Sequence, residues 1–242
     1  MPHPRSRGLS AGDDQNFSTS EVKKLMDAQC ELQFLLDRGY SMQSAVPFVG
    51  GRHQLTARQR LALMRCTSSG KALAQRRSKI LGPEDIAGRP VYIDGLNLII
   101  TLEVALSDGM LFVAQDGAIR DLAELRGSYK PIPQTETAIA LLREAVTGLG
   151  ASEVVIFLDA PVSNSGRLKT KINEQSWPMP LRVELAHNPD AELVGLENVA
   201  SSDSIVLDRC AGWFNLTAWI LETQSLAPKL TRLIRLDQSR PE

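Results

Sequence analysis

Apolar residues are spaced in two different ways along this chain. Val22, Leu25, Met26, Leu32, Leu35 and Leu36 return at three- and four-residue steps, the spacing of one helical face. Ser18-x-x-Glu21 has the form of a capping box ahead of them, and Gly39 stands where a C-terminal cap belongs. Ser41 can start a short helix from Met42 to Val49, ended by Gly50-Gly51. Thr56-x-x-Gln59 offers a further capping box before Leu61, Leu63 and Met64. A last helical stretch, from Lys71 to Ile80, stops at Gly82-Pro83. The pattern predicts a small all-helical domain over residues 18–83. Residues 1–17, polar and without periodicity, are expected to form a disordered tail.

Beyond residue 88 short apolar runs alternate with helical spacing. Val91-Tyr92-Ile93 is a buried-strand pattern, and Gly95 allows a sharp turn into a helix carrying Leu98, Ile99, Ile100, Leu102 and Leu106. Met110–Ala114 and Gly117–Arg120 suggest a hairpin around Asp116-Gly117. A helix with Ala138, Ile139, Leu142, Ala145 and Val146 leads to the strand Glu153–Leu158. An exposed helix follows from Ser163, then an edge-type strand Leu181–Leu185 and a short strand near Val199-Ala200. Trp213 and Trp219 read as core, and residues after Asp237 as tail. Such alternation predicts an α/β domain over 88–236 with a mostly parallel sheet and right-handed crossovers.

Three of these strands run into an aspartate, namely Asp94, Asp159 and Asp203, while Asp190 lies in a fourth connection. Open parallel sheets bind ligands beyond the carboxyl ends of their strands, so neighbouring strands would bring these acids to one edge. Four carboxylates there repel one another, and a divalent cation resolves the conflict. Mg²⁺ takes oxygen ligands and keeps several waters. Two such ions about 3.5–4 Å apart can activate water and stabilise the leaving oxygen in phosphodiester cleavage. The expected cofactor is Mg²⁺ or Mn²⁺, held by Asp94, Asp159, Asp190 and Asp203. Asp208 and Glu136 are additional candidates, whereas Glu103 and Asp116 are expected at the surface. His3, His53 and His187 are scattered and expected to face solvent. The alternative is four unrelated aspartates, each capping its own helix. At Ser201-Ser202-Asp203-Ser204 the hydroxyls are expected to do the capping and leave the carboxylate free.

Charge adds a second candidate function. The chain carries a formal net charge of -1, but residues 1–89 hold 14 Lys/Arg against 8 Asp/Glu. From Arg38 to Pro83 no acid interrupts Arg38, Arg52, Arg58, Arg60, Arg65, Lys71, Arg76, Arg77 and Lys79. A one-sign stretch draws polyanions, and Arg forks phosphate, so Arg52 to Lys79 are expected to bind a nucleic-acid backbone. The competing reading is a basic surface docked on the acidic second domain. With no aromatic residue between Arg52 and Lys79, base stacking is unsupported. The three dispersed cysteines argue against a disulfide framework or a thiolate zinc site. No signal-peptide core or membrane-length apolar run is present, so a soluble cytoplasmic protein with no membrane partner is expected.

The ordered segments VYIDGLNLI, VVIFLDAP, NPDAEL and VASSDSIVLD resemble the motifs of PIN-like nucleases, nearest the NYN and YacP type. The resemblance implies a Rossmann-like three-layer sandwich and a metal-dependent ribonuclease acting on single-stranded RNA. It places the catalytic site on Asp94, Asp159, Asp190 and Asp203, with Asn97 as a polar helper. The whole chain also resembles a prokaryotic family that joins a short basic helical region to such a domain. Leu96 occupies the position where a haloacid-dehalogenase-type phosphatase needs its second acid. No Gly-x-Gly-x-x-Gly follows a strand, which excludes the common dinucleotide fold. The rival function is a non-catalytic RNA-binding protein on the same scaffold. A protein acting through an exposed apolar patch is a third possibility.

Overall fold

The computed structural model describes residues 6–124, 127–224 and 232–237. Six helices come first: α1 (Asp13–Asn16), α2 (Thr19–Asp37), α3 (Met42–Arg52), α4 (Ala57–Cys66), α5 (Gly70–Arg77) and α6 (Pro83–Ile86). Thr56 and Gln59 form the expected capping box at α4, and Ser41 accepts from the Ser44 amide at α3. Gly39 ends α2 in the left-handed region at φ +84°, as a C-terminal cap requires.

Three local expectations are corrected. Ser18 makes no side-chain cap, because Glu21 is drawn instead to Gln59 Nε2 (2.6 Å) and Lys24 (2.6 Å). Gly50-Gly51 does not stop α3; a Cβ at Gly50 would lie 2.8 Å from Arg60 Nε, so that glycine serves helix packing. The expected tail is ordered over residues 6–17, where buried Phe17 stacks edge-on against Phe112 at 5.0 Å. Residues 1–5, including His3, and the tail beyond Asp237 lie outside the described residues.

The remaining elements are β1 (Pro90–Asp94), α7 (Gly95–Leu106), β2 (Leu111–Val113), β3 (Ile119–Asp121), α8 (Gln134–Gly148), β4 (Glu153–Asp159), α9 (Ser165–Asn173), β5 (Leu181–Ala186), α10 (Pro189–Glu192), β6 (Val199–Ala200), α11 (Ser204–Arg209), α12 (Leu216–Thr223) and β7 (Leu233–Arg235). The main sheet is wholly parallel, in the order β5-β4-β1-β6. Taken in chain order its strands therefore run 3-2-1-4, as in Rossmann-like sheets. Val91, Ile93, Val154, Ile156 and Leu158 face a core shared with α7, α8 and α12. Tyr92, Val155 and Phe157 face the opposite side, covered by Leu193, Val206, Leu207 and Trp213. Both faces are thus buried, which explains the near-continuous apolar runs in the central strands.

A second sheet, in the order β3-β2-β7, joins the two sequence regions. β2 and β3 form the expected antiparallel pair around Gly117, while β7, which pairs parallel with β2, was not foreseen. Leu111, Val113 and Ile119 face the α/β core. Met110, Phe112 and Ala114 face the helical core built on Leu25, Leu32, Ala62 and Leu63.

The basic stretch fastens this junction. Arg58 reaches Asp13 (3.0 Å) and the carbonyls of Leu122 and Gly8 (2.6 Å each). Arg77 donates to Gln115 O, and Lys79 to the carbonyls of Leu207, Asp208 and Cys210. Arg76 is buried between Asp116 and Asp208. Arg52 pairs with Glu31, and Arg60 closes on Leu55 O. Among the residues expected on a nucleic-acid surface, Arg58, Arg77 and Lys79 are therefore docking groups through carbonyls of the second region, and Arg76 through its acids Asp116 and Asp208. Lys71 is exposed.

Candidate active site

The switch in strand order falls beside β1, where neighbouring connections leave in opposite directions and open a crevice at the carboxyl ends. A cleft of about 450 Å³ lies there, and its lining includes Asp94, Asn97, Asp159, Asp190 and Asp203. The structure thus brings together the principal acids singled out from the sequence. It does not bring Glu136 or Asp208 to them. Glu136 is exposed on α8 and pairs with Lys171 (2.7 Å), while Asp208 is turned to Arg76 (2.6 Å).

Each acid is placed by a local reason. Asp94 ends β1 and is 6% exposed, since Gly95 lets α7 start tight against β4. A Cβ on Gly95 would lie 2.5 Å from Ile156 Cγ2 and 2.9 Å from Phe157 O. Ser201, next after β6, donates to Asp94 Oδ2 at 2.8 Å. Asn97, one helical turn into α7, accepts from both the amide and the hydroxyl of Ser202 at 2.9 Å. These contacts pin the loop that carries Asp203. The expectation for that loop is corrected: Asp203 itself caps α11, accepting from the Ile205 amide at 2.7 Å. Ser202 is turned to Asn97, while Ser201 donates to Asp94 and accepts from the Asp203 amide (3.0 Å), one residue short of the helix. Asp159 ends β4, and Asp190 follows Pro189 at the start of α10.

The electrostatics carry the mark of crowding. Burial pushes the Asp94 carboxyl up to about 7; the Ser201 hydrogen bond offsets part of this, and Asp203, Asp190 and Asp159 add to it. Asp190 is raised by burial and then by Asp203 and Asp159, and Asp159 by burial. Oxygen donors of this kind suit a hard divalent cation. Among the described residues no three His, Cys, Asp or Glu side chains stand close enough to enclose a metal ion. The donor set therefore fits a hydrated ion bound through one or two carboxylates, not a closed cage.

The cleft also contains Arg65 of α4, expected from the sequence on a nucleic-acid surface, together with Arg120 and Asp121 of β3, which the sequence did not single out. Ser202 lines it as well. Asp121 accepts from Thr101 Oγ1 (2.7 Å) and the Ala123 amide (2.7 Å). Arg120 holds the Asp203 loop by donating to Ser202 O (2.8 Å) and is itself held by Asp116 (2.6 Å). Asp116 is not a surface residue; two arginines hold its carboxyl below the usual range against the effect of burial. Glu103 is also buried, meeting Arg7, Tyr129 and Thr135 beneath the N-terminal segment. His53 is mostly covered and pairs with Glu31, whereas His187 is exposed as expected. Arg120 in a three-residue strand left no periodic signal, and only its place beside Asp121 hinted at chemistry.

Comparison with known proteins divides the chain at the same junction. The family described as Protein of unknown function (DUF434) matches residues 24–79, and the one described as Domain of unknown function (DUF5616) matches residues 83–219. A relative from Methanocaldococcus jannaschii, Uncharacterized protein MJ0935, is 34% identical over 182 residues, covering 74% of this chain and 87% of its own. No solved structure matches. Among the described residues no helix is long and apolar enough to cross a membrane. The chain belongs to the DUF5616 family, and the segment ahead of that domain is similar to DUF434.

Proposed function

We propose that this protein is a metal-dependent ribonuclease whose α/β domain is PIN-like, cutting the phosphodiester backbone of single-stranded RNA at the Asp94 cleft. The observation that carries this reading is the convergence of Asp94, Asp159, Asp190 and Asp203 on one cleft at the strand ends. Such a cluster is costly unless a cation balances it, and the buried Asp94 carboxyl, pushed up to about 7, registers that cost. Asp94, with Asp203 and Asp190 nearest in electrostatic effect, would hold Mg²⁺ or Mn²⁺. When bound, the ion supplies Lewis-acid activation of water and stabilises charge on the phosphate.

The chain's own groups perform the remaining tasks. Ser201 fixes the Asp94 oxygen through its hydroxyl proton. Asn97 and Arg120 hold the Ser201–Asp203 loop from two sides, so Asp203 cannot drift from the edge. Asp159, Asp190 and Asp203 are only partly buried, so each can exchange a proton with solvent, whereas Asp94 is enclosed. The test is cleavage of a labelled single-stranded RNA with Mn²⁺, Mg²⁺ or a chelator. Cleavage should require the metal and fall by at least about a hundredfold in Asp94→Asn, the scale of losing a ligand or its support. RNA that is bound but left intact, with Asp94→Asn indistinguishable from the parent, would replace this reading with a non-catalytic RNA-binding protein.

A further inference from the structure

Opposite charges line the same cleft, and its arginines pair with acids other than the four at the strand ends. Asp94, Asp159, Asp190 and Asp203 line it together with Arg65 and Arg120. Among the described residues no ion pair joins either guanidinium to Asp94, Asp159, Asp190 or Asp203. Arg65 spends its terminal nitrogens chiefly on neutral acceptors, Asp121 O at 2.7 Å and Ala123 O at 3.0 Å, and reaches a carboxylate only at 3.5 Å. Arg65 is therefore paired with Asp121, itself a lining residue, and its side chain, 30% exposed, still fronts the cleft. The Arg120 side chain is only 7% exposed, and it shares the Asp116 carboxylate with Arg76. Arg76 is balanced separately by Asp208 through two hydrogen bonds (2.6 and 3.0 Å), so Arg76, Arg120, Asp116 and Asp208 form a two-to-two network that holds the Arg120 guanidinium in place at the cleft.

We propose that Arg65 and Arg120 form a seat for a backbone phosphate of the substrate strand, so that the cleft is a composite site needing both the helical region and the α/β domain. Arg65 lies within residues 24–79 and the four acids within residues 83–219, the two regions that the family matches separate. A ligand that presents a cation to the four acids and an anion to the arginines fits a cleft in which neither arginine pairs with those acids, and a metal-associated phosphodiester has that polarity. Arg forks phosphate oxygens with paired donors, which a lysine cannot reproduce. The contribution of the helical region is thus one part of the site's lining, while Arg58, Arg76, Arg77 and Lys79 serve docking. This rests on the reading of the cleft as a nuclease site, and its test is kept separate from catalysis.

The experiment measures the affinity of a fluorescein-labelled single-stranded RNA of mixed sequence over a series of KCl concentrations, in Mg²⁺, on the Asp94→Asn background. Adding Arg65→Gln should weaken binding by roughly tenfold and lower the slope of log affinity against log salt by about one. Arg65→Lys should keep the slope but lose several-fold in affinity, and it decides the matter if Arg65→Gln fails to fold. Arg77→Gln, on a side chain that faces Gln115 away from the cleft, should match the parent. Affinity and slope unchanged in both Arg65 variants, or no RNA bound by the parent, would overturn the seat. RNA cut by the wild type independently of Arg65 removes the seat alone. RNA held through Arg65 but never cut removes the hydrolytic reading alone.

Discussion

Asp94 is held in a site that opposes its own ionisation, and this has a consequence for stability as well as for chemistry. Its carboxyl titrates near 7 when folded, above the ordinary value of 3.8, so the folded protein binds that proton more tightly than the unfolded chain. Stability is therefore full below about pH 4 and declines as pH rises towards 7, after which this contribution is flat. Without added metal, urea melts should show lower stability at pH 8 than at pH 5. Asp94→Asn should remove most of that decline and be more stable than wild type at pH 8, by of order 2 kcal/mol. A variant that loses stability at pH 8 would show that the carboxylate is compensated in a way the cleft does not display. Asp94 was legible because a strand-end acid before a glycine is a local pattern. Arg120 and Asp116 were not: they pair with each other within one hairpin, but their burial depends on Arg76 from a distant helix and on the Ser202 carbonyl. Asp203 was half legible: its place was foreseen, but its capping role was decided by competition among neighbouring hydroxyls.

At the scale of elements, the contact between the start of α7 and β4 fixes the acidic edge. Gly95 sits against Ile156, Leu158 and the carbonyl of Phe157, too close for a side chain. Gly95→Ala should push α7 outward, costing about 1–3 kcal/mol as overpacking does, and should lower cleavage more than RNA affinity. Denaturant midpoints and a KM-against-kcat comparison check both parts. Helix and strand periodicity revealed most elements here, including the hairpin and the edge strand β5. It did not reveal β7, since Leu233-Ile234-Arg235 is too short to show a period. It also gave α1 no support, because that single turn is ordered by Asp13 meeting Arg58 across 45 residues.

Across the whole molecule, the two family regions share apolar surface and do not merely touch. Met110, Phe112, Ala114, Leu122 and Leu236 belong to the helical core although they lie outside the helical sequence. Residues 83–242 expressed alone should therefore expose this surface, bind a hydrophobic dye such as ANS and aggregate. Adding residues 1–82 in trans should suppress both, whereas a fragment that is monomeric and dye-silent would contradict the shared core. The charge split between the halves was legible as asymmetry, and docking was one of its two readings. Sequence could not choose between them, since a basic residue looks the same whether it faces solvent or a carbonyl. The central strand of the smaller sheet carries a further consequence. Because β2 is apolar on both sides, sliding it by one residue would exchange two greasy surfaces at little cost in burial. Hydrophobicity alone thus sets no phase for that ribbon. The anchor is Asp116 at its turn, whose oxygens meet the Ala118 amide and two guanidiniums at once, a triple coincidence that only one alignment satisfies.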